Sequence, residues 1–128
     1  MPRAKELKVR TDDRPGLLGE IASVLGEKKI NIRAVNAWVE DSQAVVRLVV
    51  DKGAAAKKAL AARGWKAEEQ DVLELELADK PGTLGQAAKA LGDAGINIRH
   101  VYVGAAGARK ATVFLGVPDL KAAMKAVR

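Results

Sequence analysis

The sequence predicts an α+β chain made of two tandem βαββαβ units, with antiparallel sheets, helices on one sheet face and a second unit that lacks its last strand. Three observations lead there. The stretch Asp12 to Arg33, DDRPGLLGEIASVLGEKKINIR, recurs from Ala78 to Arg99 as ADKPGTLGQAAKALGDAGINIR, matching at twelve of twenty-two positions without a gap. Ten of the matches fall on Pro, Gly, Asn and apolar positions and the other two on Asp and Arg, so what is repeated is backbone geometry and core, plus one or two polar residues. Runs rich in Val and Ile alternate with runs of helical period. A length of 128 residues suits one ordinary domain or two small ones with thin cores, and the repeat favours two, residues 1–70 and 71–128.

Each element follows from its local pattern. Glu6 to Thr11 alternates as a strand. Pro15-Gly16 then opens a helix whose apolar residues Leu18, Ile21, Ala22 and Leu25 share one face, running to about Lys28. Ile30 to Val39 and Gln43 to Val50, joined across Glu40-Asp41-Ser42, read as an antiparallel hairpin. Lys52 to Arg63 has high helix propensity and closes at Gly64, after which Trp65 to Gln70 forms a last strand. The second unit repeats the order: strand Val72 to Ala78, helix Gly82 to Ala94, hairpin Ile96 to Gly104 with Arg109 to Val117, and helix Asp119 to Val127. No fourth strand follows.

Two consequences concern what covers the sheets. In a split βαβ unit the first and last strands are neighbours, so the missing strand is expected to expose one side of Val72 to Ala78 to the other unit or to a second copy of the chain. Apolar residues also stand on both faces: Ile30, Ile32, Val35 and Val39 do not all face one side of a regular strand, and neither do Val45, Val46, Leu48, Val49 and Val50. Burial of the open face, most simply by the other unit, is therefore expected.

Composition narrows the function. With 48% apolar and 30% charged residues the chain is globular. It has no Cys, which removes disulfide and thiolate chemistry and agrees with a reducing cytoplasm. The start MPRAKELKVR is too charged for a secretory signal, and no apolar run reaches the ~20 residues that span a bilayer. The net charge of +6 is spread along presumed helix surfaces, without a block of five like charges, so it reads as a solvated basic surface rather than a nucleic-acid site. RNA binding on the sheet would also need stacked aromatics, where the strands offer Val, Leu and Glu. A single His, His100, and the absence of triad, metal-ligand and phosphate-loop spacings leave no catalytic residue to name and no cofactor. The chain is expected not to be an enzyme.

The repeated turn carries the remaining chemistry. In Asp-x-Pro-Gly, Pro suits a helix start and Gly lets the backbone pass close to a neighbour. The first amides of the helix lack internal partners and attract a carboxylate, while Asp13 or Asp79 beside them would accept from an ammonium group. The alternative is that both Asp residues cap their helices. Asn31 and Asn97, each between two Ile residues at the start of the second strand, either bond their own backbone or serve a ligand. Two such strands side by side would bring the Asn of one unit toward the Pro-Gly turn of the other.

DRPGLLGEIASVLGEKKINI and DKPGTLGQAAKALGDAGINI resemble the opening signature of the ACT domain, and the βαββαβ order agrees with its ferredoxin-like fold. The resemblance spans nearly the whole chain as two tandem copies. It implies a regulatory module of the kind found in amino-acid biosynthetic enzymes, binding an amino acid at an interface between paired units. The site residues it implies are Asp13, Arg14, Gly16, Leu17, Leu18 and Asn31, then Asp79, Gly82, Thr83, Leu84 and Asn97. The turns differ at Leu17 against Thr83 and Arg14 against Lys80, so the two pockets need not be equivalent. The expected protein is a cytoplasmic homodimer that senses an amino acid. The competing expectation is an assembly module, or regulatory subunit, that pairs with an enzyme of amino-acid metabolism without binding a ligand itself.

Overall fold

The computed structural model describes residues 2–104 and 107–128. Its elements run β1 (Arg3–Asp12), α1 (Leu17–Glu27), β2 (Ile32–Glu40), β3 (Gln43–Val50), α2 (Gly53–Ala62), β4 (Ala67–Ala78), α3 (Thr83–Asp93), β5 (His100–Gly104), β6 (Lys110–Gly116) and α4 (Leu120–Ala126). The α+β class, the antiparallel sheets and the repeated order agree with the sequence. The chain divides into two compact units, Lys5–Gln70 and Asp71–Arg128 together with Met1–Ala4. No helix among the described residues is long and apolar enough to cross a membrane.

In the N-terminal unit the strands lie in the order β2-β3-β1-β4. β1 and β3 pair antiparallel with Leu7 opposite Leu48 and Val9 opposite Val46. Period-two alternation sends these four side chains to the helix face, where they meet Leu17, Ile21, Val24 and Leu25 of α1 and Ala56, Ala59 and Leu60 of α2, with Trp65 closing the cluster. Each fully buried Leu or Ile contributes about 1.5–3 kcal/mol of burial, and the small Ala residues of α2 let that helix lie close to the sheet.

The β2–β3 hairpin turns in two residues, Asp41 and Ser42, both with positive φ, which matches the twist of the strands. β2 differs from expectation. An irregularity between Ile32 and Ala34 shifts the register, so that Ile32 opposite Val50 and Val35 opposite Leu48 fall on the same face. The bulge thus lets Ile32, Val35 and Val39 share one side, and Val35 and Val39 remain exposed there because β2 is an outer strand. β3 is apolar on both faces as expected: Val46 and Leu48 join the helix-side core, and Val45 and Val49 are buried on the opposite face.

That opposite face also holds a buried charge. Glu6 is fully buried, and its carboxylate accepts from Arg47 Nη1 at 2.6 Å and from Gln70 Nε2 at 3.1 Å. The Arg47 guanidinium lies 5.6 Å from the ring centroid of Trp38, a cation–π distance.

In the C-terminal unit, Leu73, Leu75, Leu91, Ile96, Val113, Leu115 and Ala123 form the core. Asp119 caps α4, its carboxylate accepting from the Ala122 amide at 3.0 Å. The place of the missing last strand is taken by the start of the chain: the Glu74 amide donates to the Pro2 carbonyl at 3.1 Å, and Arg3 pairs with Asp71 at 3.9 Å. Two boundaries differ from the sequence reading. Trp65 to Gln70 and Val72 to Ala78 are not separate strands, because β4 runs unbroken from Ala67 to Ala78. Ile96 to Arg99 approaches the sheet without laddering until the Arg99 amide reaches the Gly116 carbonyl at 2.8 Å. On the face away from the helices Tyr102 stacks between His100 and Phe114, at centroid distances of 6.1 and 5.8 Å, with Tyr102 and Phe114 buried. Gly116 makes this stack possible, since a Cβ there would overlap the His100 imidazole.

Three helices end alike. After α1 the Lys29 amide donates to Gly26 and the Ile30 amide to Leu25; Gly64 and Trp65 repeat this after α2, and Gly95 and Ile96 after α3. Each is a Schellman closure that requires a left-handed residue, met by Gly64 and Gly95 but in α1 by Lys29 at φ 57°. The left-handed conformation costs a residue with a Cβ roughly 1–2 kcal/mol, and Gly returns about 0.5–1 of that in lost chain entropy. Lys29→Gly is therefore expected to raise stability by about 0.5–1 kcal/mol in urea denaturation. In the same assay Arg47→Ala, which strands the Glu6 carboxylate in the interior, is expected to cost about 3–5 kcal/mol, and the double change Glu6→Gln with Arg47→Met to recover most of it.

Candidate functional site

The turn between β1 and α1 is held from both sides. The Asp13 amide donates to the Ser42 carbonyl at 3.3 Å, tying the turn to the β2–β3 hairpin, and the Leu17 amide donates to the Arg14 carbonyl at 3.3 Å. Gly16, at φ 86°, is the N-cap, and no side chain caps the helix; Gly82, at φ 91°, does the same for α3. This corrects the capping alternative: Asp13 and Asp79 stand three residues ahead of the glycine caps, both exposed. The Asp13 carboxylate has no partner among the described residues. The first turn of α1 keeps its amides and the positive end of the helix dipole uncapped by side chains.

Beside this turn lies a cavity of about 260 Å³, lined by Asp13, Arg14, Gly16, Leu17 and Leu18 and by Ala37, Trp38, Val39, Ala44 and Val46 of the hairpin. Leu17, Ala44 and Val46 form its buried floor, while Leu18 and Val39, 45% and 58% exposed, are its walls. The room comes from register: Ala37 lies opposite Val46 and Val39 opposite Ala44, so each cross-strand pair joins a small side chain to a larger one. At the rim Arg14 Nη2 meets Glu20 Oε2 at 2.6 Å, and Arg63 Nη2 meets Glu20 Oε1 at 3.5 Å. Two guanidinium groups share the one Glu20 carboxylate, of which only Arg14 lines the cavity. Near the end of β2, a hydrogen bond from Arg10 holds the Glu40 carboxyl below the usual carboxylate range, against the opposing effect of desolvation. The charges of Arg10 and Lys8 add to the lowering.

The cavity gathers five of the N-terminal candidates, Asp13, Arg14, Gly16, Leu17 and Leu18. Asn31 is not among its lining residues. It precedes β2, whereas Ala37 to Val39 end it, and six residues of strand span about 20 Å. Its main chain joins the strand ends instead, the Asn31 amide donating to Asp51 Oδ1 at 3.0 Å and the Asp51 amide to the Asn31 carbonyl at 3.1 Å.

In the C-terminal unit the candidates separate. The Asp79 amide donates to the Arg109 carbonyl at 2.9 Å, and the Thr83 hydroxyl donates to the carbonyls of Ala78 and Lys80 at 2.7 and 3.2 Å. Thr83 lines a groove of about 400 Å³ between β4, α3 and the end of α4; Asp79, Gly82, Leu84 and Asn97 are exposed outside its lining. Where the first turn presents an apolar Leu17 to a cavity, the second spends its hydroxyl on the turn itself.

Sequence reading missed Ala37, Val39, Ala44 and Val46, which read as ordinary strand residues. The available signal was the two Ala residues set among Val in facing strands. Among the described residues no group of three His, Asp or Glu side chains is placed to hold a metal ion.

Comparison with known proteins agrees with this architecture. No curated protein matches the sequence. Among solved structures, a protein of Bacteroides thetaiotaomicron superposes with a TM-score of 0.89 at 23% identity, over 98% of this chain and 86% of that one. The regulatory subunit of aspartate kinase from Thermus flavus follows with a TM-score of 0.68 at 20% identity, over 99% and 91%. That from Thermus thermophilus, in its ligand-free form, gives 0.69 at 19% identity, over 98% and 90%. These likenesses establish the fold. The ACT domain family model matches residues 5–61 and again 72–128, nearly the whole sequence, and the chain belongs to the ACT domain family as two tandem copies.

Proposed function

We propose that the protein is regulatory rather than catalytic and that it binds an amino acid at the turn between β1 and α1. The observation that carries this reading is the cavity beside Gly16. It sets an unpartnered carboxylate, Asp13, next to a guanidinium, Arg14, and next to a helix start that no side chain caps. A free α-amino acid has the complementary charges: its ammonium group would face Asp13, and its carboxylate the first amides of α1 and the Arg14 guanidinium. Asn31, far from the cavity of its own unit, serves the turn of a second copy of the chain, so the working form is a homodimer. Ligand contacts made to both copies favour one arrangement over others, which is how binding becomes a signal for an enzyme of amino-acid biosynthesis in the cytoplasm.

A second reading, an assembly module that pairs with such an enzyme without a ligand, draws on the outer strands. β2 exposes Val35 and Val39, and β5 exposes Val101 and Val103, an apolar content that strand edges usually avoid. Co-purification from the native source in the absence of added amino acids distinguishes it.

Titration calorimetry and thermal shift with each of the twenty amino acids at millimolar concentration test the first reading. Saturation at about 100 times Kd is expected to stabilise the fold by about 2.7 kcal/mol. Asp13→Ala is expected to abolish that shift while changing the stability of the free protein by no more than about 0.5 kcal/mol, as for an exposed side chain. No heat and no shift with any of the twenty, in folded protein, would overturn the reading.

A further inference from the structure

We infer that the amino acid taken by the N-terminal unit has a branched aliphatic side chain, and that Ala37 is the residue that sets its size. The inference rests on the amino-acid reading above and adds the identity of the side chain.

The lining divides by chemistry. Asp13 and Arg14 are its only charged side chains, and both stand at one end, on the turn. The remaining side chains are apolar except for the indole of Trp38, which by strand alternation lies on the opposite sheet face from Ala37 and Val39, under the Arg47 guanidinium. A ligand whose ammonium and carboxylate groups sit at the turn therefore lays its side chain against Leu17, Val39 and Val46, with no free donor or acceptor to meet a hydroxyl, amide or charge. A polar side chain there loses water without replacement.

Size narrows the class further. A volume of about 260 Å³ falls just under the ~300 Å³ at which pockets for drug-sized ligands begin, which suits a metabolite of amino-acid size. The floor is kept open by the two small residues Ala37 and Ala44, each opposite a valine. Ala44 is buried in the core, but Ala37 is exposed on the outer strand, so its methyl group faces the ligand space rather than supporting the fold. A larger side chain at position 37 takes the room of a branched ligand and leaves room for a short one. In the second unit the residue corresponding to Leu17 is Thr83, whose hydroxyl is bonded to the turn, so this selectivity belongs to the first unit.

Calorimetry of the full chain with valine, leucine and isoleucine against alanine, serine, threonine, asparagine, aspartate, lysine and phenylalanine tests the inference. The branched aliphatic amino acids are expected to bind roughly ten- to hundred-fold more tightly than serine or asparagine. Ala37→Leu is expected to weaken leucine and isoleucine by about ten-fold or more while leaving alanine within about two-fold. Val39→Thr, nearly isosteric on the exposed wall, is expected to narrow the preference for valine over threonine, and it provides the test should Ala37→Leu misfold. Tightest binding of a polar, charged or aromatic amino acid, or an unchanged ranking in both variants, would sink this inference and leave the proposed function standing. Binding of none of these ten but of another of the twenty would likewise sink the inference alone, whereas absence of binding by all twenty would remove the proposed function itself.

Discussion

The left-handed backbone of Gly16, at φ 86°, is the constraint on which the N-terminal unit depends. It ends β1 and starts α1 within four residues, and it fixes the direction in which the helix leaves the sheet. Only from that direction do Leu17, Ile21 and Leu25 fall on Leu7, Val9 and Leu48. A residue with a Cβ pays steric strain in this conformation, whereas glycine meets it freely. The same glycine, being the cap, withholds a side chain from the first turn of the helix. One conformational choice thus both assembles the core and leaves the helix start open beside a cavity. Gly82 makes the same choice for α3.

The sheet adds a second constraint. A split βαβ unit buries one face under its helices, yet β3 and β6 are buried on both. On the face away from the helices the N-terminal unit places Val45, Val49 and the ion pair of Glu6 with Arg47, and the C-terminal unit places Tyr102, Thr112 and Phe114. A fully buried carboxylate is tolerated there because a guanidinium and an amide both donate to it. The aromatic trio on β5 and β6 looks, as a list of residues, like a stacking platform for bases; burial of Tyr102 and Phe114 removes it from that use.

Duplication has produced two turns of one backbone and two different surfaces. Leu17 and Thr83 occupy the same place in the repeat, but the leucine forms the floor of a cavity, and the hydroxyl of the threonine satisfies two turn carbonyls. Arg14 likewise enters an ion-pair set with Glu20 and Arg63, and in the second unit the place of Glu20 is taken by the uncharged Gln86. Backbone geometry is shared because Pro, Gly and the apolar positions repeat; chemistry diverges because the residues between them do not.

The sequence alone determined the elements and their order. Helical and period-two spacings, the Pro-Gly starts and the Gly stops are local, and each is decided within a few residues. It also identified the turn as the place of interest, because a glycine after proline ahead of an apolar run has few other uses. Only the tertiary structure decided the rest, and in each case the deciding contact joins residues distant in the chain. The bulge in β2 depends on register against β3, and the last strand of the second unit is supplied by Pro2 to Ala4, some seventy positions from its partner Glu74. The cavity exists because Ala37 and Ala44 come to lie on adjacent strands beside Leu17 and Leu18. Local pattern specifies what a segment becomes; which segments then share a wall is settled by pairing and packing, to which no short window of sequence has access.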